Sequence, residues 1–265
     1  MKEKTVVTKL PAGEIIKIEK LSDDTFAVTQ KALMEEKATA EKSNPISKII
    51  IPEIIFVQID AESLSMDDDF MKYQPQTEME VKTKDLIAEA IVFKVKNYYR
   101  SVMDPSFTIN GIDYIAGVMP AVGKSYNWWK EMAEKYAPYR KSRLCTRREY
   151  GAFLGVLIKM LVAEGKSVEW AWNAVCNDSK ELGHYWNSED TNHRFEPTGS
   201  RPVCVFYDLV NAYKILAEDE ETGGYWLAGA GYVDYSNDVP LAYICHITTM
   251  CDSREIGGVG LLVLS

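Results

Sequence analysis

Thr146-Arg-Arg-Glu-Tyr-Gly-Ala-Phe-Leu-Gly-Val-Leu-Ile-Lys-Met-Leu-Val-Ala-Glu-Gly165 is the stretch from which the fold is read. Thr146 followed three residues later by Glu149 is a capping box, in which the hydroxyl accepts from one orphan amide and the carboxylate reaches back to another. Tyr150, Phe153, Leu154, Leu157, Ile158, Leu161 and Val162 then recur at helical spacing, a stripe that points at a core. Gly165 ends that helix, and Ser167 caps a second one through Trp170, Ala171, Ala174 and Val175.

Downstream, Pro202-Val-Cys-Val-Phe206 reads as a strand and Tyr207–Leu216 as a third helix, ending near Gly223-Gly224 at a C-cap or turn. From Tyr225 on, glycine, aromatic and β-branched residues point to strands and long loops. Gly257-Gly-Val-Gly-Leu-Leu-Val-Leu264 reads as a buried terminal strand. Upstream, Asn127–Tyr136 reads as a helix packing Trp128, Trp129, Met132 and Tyr136. Residues 82–100 read as an amphipathic helix through Leu86, Ile87, Ala90, Ile91 and Val95. Lys48–Ile51 and Glu53–Asp60 form a β-rich run in which Pro52 marks an edge or bulge. Gly13–Leu21 reads as a short strand. Thr25–Ala40 carries helix-favouring residues, but Phe26, Leu33 and Met34 are few for a core helix. The class is α+β.

Composition divides the chain near residue 125. All six Trp, all five Cys and all three His lie beyond it, which makes the second half the aromatic-rich one. The expected organisation is a β-rich module with one long helix over 1–125, a linker helix over 126–142, and a recognition domain over 143–265. The 265 residues carry a net charge of −9, and the pI near 5.0 argues against a nucleic-acid partner. No apolar run approaches the roughly 18 residues of a membrane span, and the N-terminus lacks the apolar core of a signal peptide.

Candidate chemistry is sparse. Five cysteines without a CxxC pair give neither a zinc ribbon nor a thioredoxin motif. Cys176 and Cys204 read as small buried residues. Cys245 and Cys251 could meet across a loop, though the absence of a secretion signal favours the reduced form. His246 adjoins Cys245, but strand neighbours point to opposite faces. His184, Asp190, His193 and Glu196 could ligate a divalent cation, yet they are scattered along a polar loop, so no metal and no other cofactor is expected. Asp67-Asp-Asp69 lacks the alternating ligands and turn glycine of a calcium loop. The terminal glycines lead into a strand and not a helix, which excludes a phosphate cradle. What remains is recognition. Tyr225, Trp226, Tyr232, Asp234 and Tyr235 lie among Gly, Ser and Asn, a composition suited to adaptable contact loops, and Trp186-Asn187 joins them; the surface role is favoured for Tyr232 and Tyr235, whereas a structural one, Trp226 in the core and Tyr225 lining a turn, is the rival reading for the other pair.

Thr146-Arg-Arg-Glu-Tyr150, Gly224-Tyr-Trp226 and Gly258-Val-Gly-Leu-Leu-Val263 together resemble the C-type-lectin-like domains of phage fibre and tropism-determinant proteins and related bacterial surface modules. The resemblance covers residues 143–265. The chain departs from the calcium-dependent lectins: Glu196-Pro-Thr198 lacks their Asn, and Trp186-Asn187 lies upstream of it. The formylglycine-generating relatives use a cysteine pair near the C-terminus, a region where Cys245 and Cys251 form no clear motif. The resemblance implies a non-enzymatic virion structural protein, such as a head fibre, decoration or tail component. It would anchor to other virion proteins through its first half and display its second, as a homo-oligomer and most simply a trimer. Its target would be a host-surface glycan or protein. The rival readings are a carbohydrate-binding cell-surface module and a cysteine- or metal-dependent enzyme.

Overall fold

The computed structural model describes residues 6–9, 15–22, 25–31, 55–109, 111–136, 142–182, 197–207, 209–219, 224–229, 239–247 and 258–264. β1 (Val6–Lys9), β2 (Ile15–Ser22) and β3 (Thr25–Lys31) form an antiparallel sheet in that order. The strand expected at Gly13–Leu21 is β2. Thr25–Lys31 is a strand, although the wider segment favours a helix by composition. Thr25, Phe26, Val28 and Thr29 suit a pleated backbone, and pairing with β2 runs from Ile15↔Lys31 to Ser22↔Thr25.

The next elements are β4 (Phe56–Ile59), α1 (Glu78–Val92) and β5 (Tyr98–Ser101). α1 starts four residues before the expected helix because Thr77 and Glu80 make a second capping box. It also ends earlier: Lys94 turns the chain at φ 52°, and Tyr98–Ser101 pairs with β4 as a strand. β6 (Ser106–Thr108) and β7 (Gly111–Asp113) make a hairpin, and α2 (Tyr126–Tyr136) follows where a helix was expected.

β8 (Ser142–Leu144) leads into α3 (Arg147–Ala163) and α4 (Val168–Cys176). Both caps are present as read from the sequence: Thr146 accepts from the Glu149 amide, and Ser167 accepts from the Trp170 amide. Gly165 turns the chain between them at φ +92°, a conformation costly for residues with a Cβ. α3 is buried on more than its apolar stripe. Gly151 and Gly155 let α1 approach so closely that a Cβ on Gly151 would lie 2.7 Å from the Leu86 carbonyl oxygen.

β9 (Pro202–Val203) and β10 (Phe206–Tyr207) form a small hairpin, followed by β11 (Tyr213–Asp219), β12 (Gly224–Ala228) and β13 (Ile244–Ile247). The third helix expected at Tyr207–Leu216 is therefore absent. Tyr213 and Ile215 face one core cluster while Leu216 faces the other, which is the period of a strand. Gly224 opens β12 and is not a helix C-cap. It packs so tightly against His246 that a side chain would collide with the imidazole.

The terminal segment is β14 (Gly258–Gly260) and β15 (Leu262–Leu264), buried as expected but divided between two sheets. β14 runs parallel to β11 in the order β13-β12-β11-β14. β15 runs antiparallel to β5 and β8 in the order β4-β5-β15-β8. Leu261 joins them: its amide donates to the Ile215 carbonyl, and its carbonyl accepts from the Cys145 amide. Gly260 lies flat under Trp129, whose ring would occupy the space of any Cβ.

This topology corrects the expected domain division. Strands from 56–101 and from 142–264 share one sheet, α1 packs on α3, and one hydrophobic cluster runs from Ile55 to Val263. The shift in composition near residue 125 does not separate two cores. The second cluster lies under α2, where Trp129 and Ala133 meet Leu144, Ile215, Leu227 and Leu262.

Candidate functional site

α3 opens with two arginines, Arg147 and Arg148, at the end of the helix where the backbone dipole disfavours cations. A carboxylate from the neighbouring helix compensates. Glu89 of α1 accepts from Arg147 Nη1 at 2.5 Å and from Arg148 Nε at 2.9 Å. Burial pushes the Glu89 carboxyl up, but the hydrogen bonds and charges of the two guanidinium groups outweigh that and leave it below its ordinary range.

The clamped arginines spread over aromatic rings. Arg148 lies over Phe93 at 3.7 Å, and Arg147 lies over Trp226 at 5.2 Å. Trp226 in turn meets the His246 ring edge-on at 4.9 Å. Phe93 is 58% exposed beside exposed Val92, so the row ends in an apolar surface. Trp226 is half-buried, and its indole Nε1 has no hydrogen-bond partner. One connected row thus runs Phe93–Arg148–Glu89–Arg147–Trp226–His246. α1, α3 and the β12–β13 pair build it.

A second exposed feature is the β6–β7 hairpin. Ile109 at its tip is 99% exposed, and Phe107 stands edge-on to Trp128, with Lys124 over both rings at 5.4 Å.

Of the residues singled out from sequence, Trp226 lies in the first row. Tyr225 does not face outward, which corrects its place among the binding residues. It is buried and stacked on Tyr126 at 4.8 Å with ring planes 3° apart, because strand alternation turns it away from Trp226. The same alternation separates Cys245 from His246: Cys245 packs on the cluster under α2, while His246 touches Trp226. Trp186, Asn187, Tyr232, Asp234 and Tyr235 lie outside the described residues, as do His184, Asp190, His193, Glu196 and Cys251.

Cys145, Cys176 and Cys204 are poorly disposed to act as nucleophiles. Burial pushes Cys145 far up and Cys176 to about 12, and burial aided by Glu164 takes Cys204 to about 12. Among the described residues no three His, Cys, Asp or Glu groups gather as metal ligands. In the Asp67–Asp69 cluster, Asp68 accepts from the Ser65 amide and faces Lys159, and Asp69 pairs with Lys72. Among the described residues no helix is long and apolar enough to cross a membrane.

Glu89, Phe93, Arg147 and Arg148 were not legible as a surface. The signal that could have found them is the Arg-Arg pair in the first turn of α3, which demands an acid from elsewhere in the fold.

No family model and no curated protein matches the chain. A crystal structure of CarF is similar at 11% identity and a TM-score of 0.40, covering 64% of this chain and 87% of that one. A likeness of that size carries no inference about fold or function.

Proposed function

We propose that the chain is a non-enzymatic virion structural protein of the head-fibre, decoration or tail type, acting by docking and display. The observation that carries the docking reading is the Phe93–Arg148–Glu89–Arg147–Trp226 row. Arginine and aromatic side chains supply most of the energy in protein interfaces, and here ion pairs hold them in place before any partner arrives. The virion context comes from the resemblance over residues 143–265. In this proposal those residues supply the C-type-lectin-like part of the fold, whose helix opens at Thr146, whose Gly224-Tyr-Trp226 segment forms β12, and whose glycine-led end closes both sheets. Residues 1–125 anchor to other virion proteins, and the assembled form is a trimer.

The test is light scattering on the purified chain together with co-sedimentation on phage particles. A trimer that sediments with particles, and loses about tenfold in affinity on Phe93→Ala with Arg148→Ala, is the expected result. A monomer that stays in the supernatant overturns the reading. Hits on a glycan array that survive both substitutions favour the carbohydrate-binding alternative.

A further inference from the structure

Lys214 lies in the middle of β11, and its side chain is 1% exposed. Its Nζ lies 2.7 Å from each carboxylate oxygen of Asp104 and donates to the Ala212 carbonyl at 2.8 Å. Asp104 follows β5 and is 6% exposed in its side chain, 110 residues away along the chain. This is a primary amine held against a carboxyl group in a site closed to water.

The geometry points to an amide cross-link between Lys214 Nζ and Asp104 Cγ, formed by the protein itself. Passage of a proton from the ammonium to the carboxylate along the 2.7 Å contact gives the amine and the carboxylic acid that the reaction needs. The nitrogen lone pair attacks Cγ, the C–N bond forms, and the carbonyl electron pair moves to oxygen. The hydroxyl then leaves with a proton from nitrogen as one molecule of water, restoring the carbonyl as an amide. The remaining N–H keeps Ala212 as its acceptor. One ammonium and one carboxylate give one amide and one water, with no oxidant or co-substrate.

Three observations favour this chemistry. Fixed reacting groups at contact distance stand in for an effective concentration of roughly 10⁵ M or more. The cross-link removes two buried charges whose desolvation an ion pair must otherwise offset. The usual competing loss of water at an aspartate, attack by the next backbone nitrogen, is blocked because residue 105 is proline and has no N–H.

The experiment is intact-mass spectrometry of the full chain after prolonged incubation in the folded state, followed by peptide mapping. The expected mass is one water below that of the sequence, with residues 104 and 214 in one branched peptide. The full sequence mass, or a missing water mapped elsewhere, overturns the proposal. Warm dilute acid supplies a second reading, because it cuts Asp–Pro bonds with help from the free side-chain carboxyl. The cross-linked chain stays a single band in a denaturing gel, whereas a chain with free Asp104 separates into two pieces at Asp104–Pro105. Lys214→Arg keeps the charge but cannot form the amide, and it is expected to show full mass and two pieces. If that variant does not fold, the wild-type mass alone decides.

Discussion

Glu89 illustrates how much a single side chain can organise. Its carboxylate ties the first turn of α3 to α1 and fixes both guanidinium groups over their rings. Its pKa in the folded chain lies below the ordinary 4.5, since the two arginines outweigh the effect of burial. A depressed carboxylate stabilises the fold fully above its unfolded value, and the contribution is lost as pH falls through the folded value. Glu89→Gln is therefore expected to lower the urea midpoint near neutral pH and to flatten the fall in stability below about pH 4.5. A variant whose acid limb superimposes on that of the wild type would show that the clamp contributes nothing. The sequence displays the acid and both arginines, but they are 58 and 59 residues apart, and no local pattern joins them.

At the scale of the element, α3 is the part whose reading needed least correction. Its cap, its apolar stripe and its stop at Gly165 are local features, and each is where the residues place it. The sequence did not disclose that a second face is also buried. Gly151 and Gly155 break no helical period, and they matter only because Leu86, Ile87 and Leu64 press against them. Gly151→Ala separates the two levels. Alanine's helix propensity returns about 1 kcal/mol, while a Cβ forced against the Leu86 backbone costs about 1–3 kcal/mol. A net loss is expected, read as a lower urea midpoint with an unchanged slope. A variant as stable as the parent would mean that α1 and α3 do not cross there. Tyr207–Leu216 failed at the same scale for a related reason. A short apolar run fits either period, and the strand won because β12 and β14 were available to pair with it.

For the molecule as a whole, the consequence is that the described elements from β4 to β15 share one fold. β15 lies between β5 and β8, so the last residues of the chain close a sheet begun before residue 101. A fragment of residues 126–265 would lack α1, β4 and β5 and would expose the α3 face that they cover. It is expected to show no cooperative thermal transition and no dispersed amide spectrum. A well-folded fragment would restore the division suggested by composition. The sequence by itself determined the capped helices, their stops, the strand at Ile15–Ser22 and the burial of the glycine-led terminus, because each depends on residues only a few positions apart. Only the tertiary structure decided that 98–101 is a strand, that Tyr225 is core while Trp226 reaches the surface, and which acid meets which base. Those outcomes depend on strand partners and helix crossings contributed from distant parts of the chain, and pairing at a distance leaves no period in the sequence.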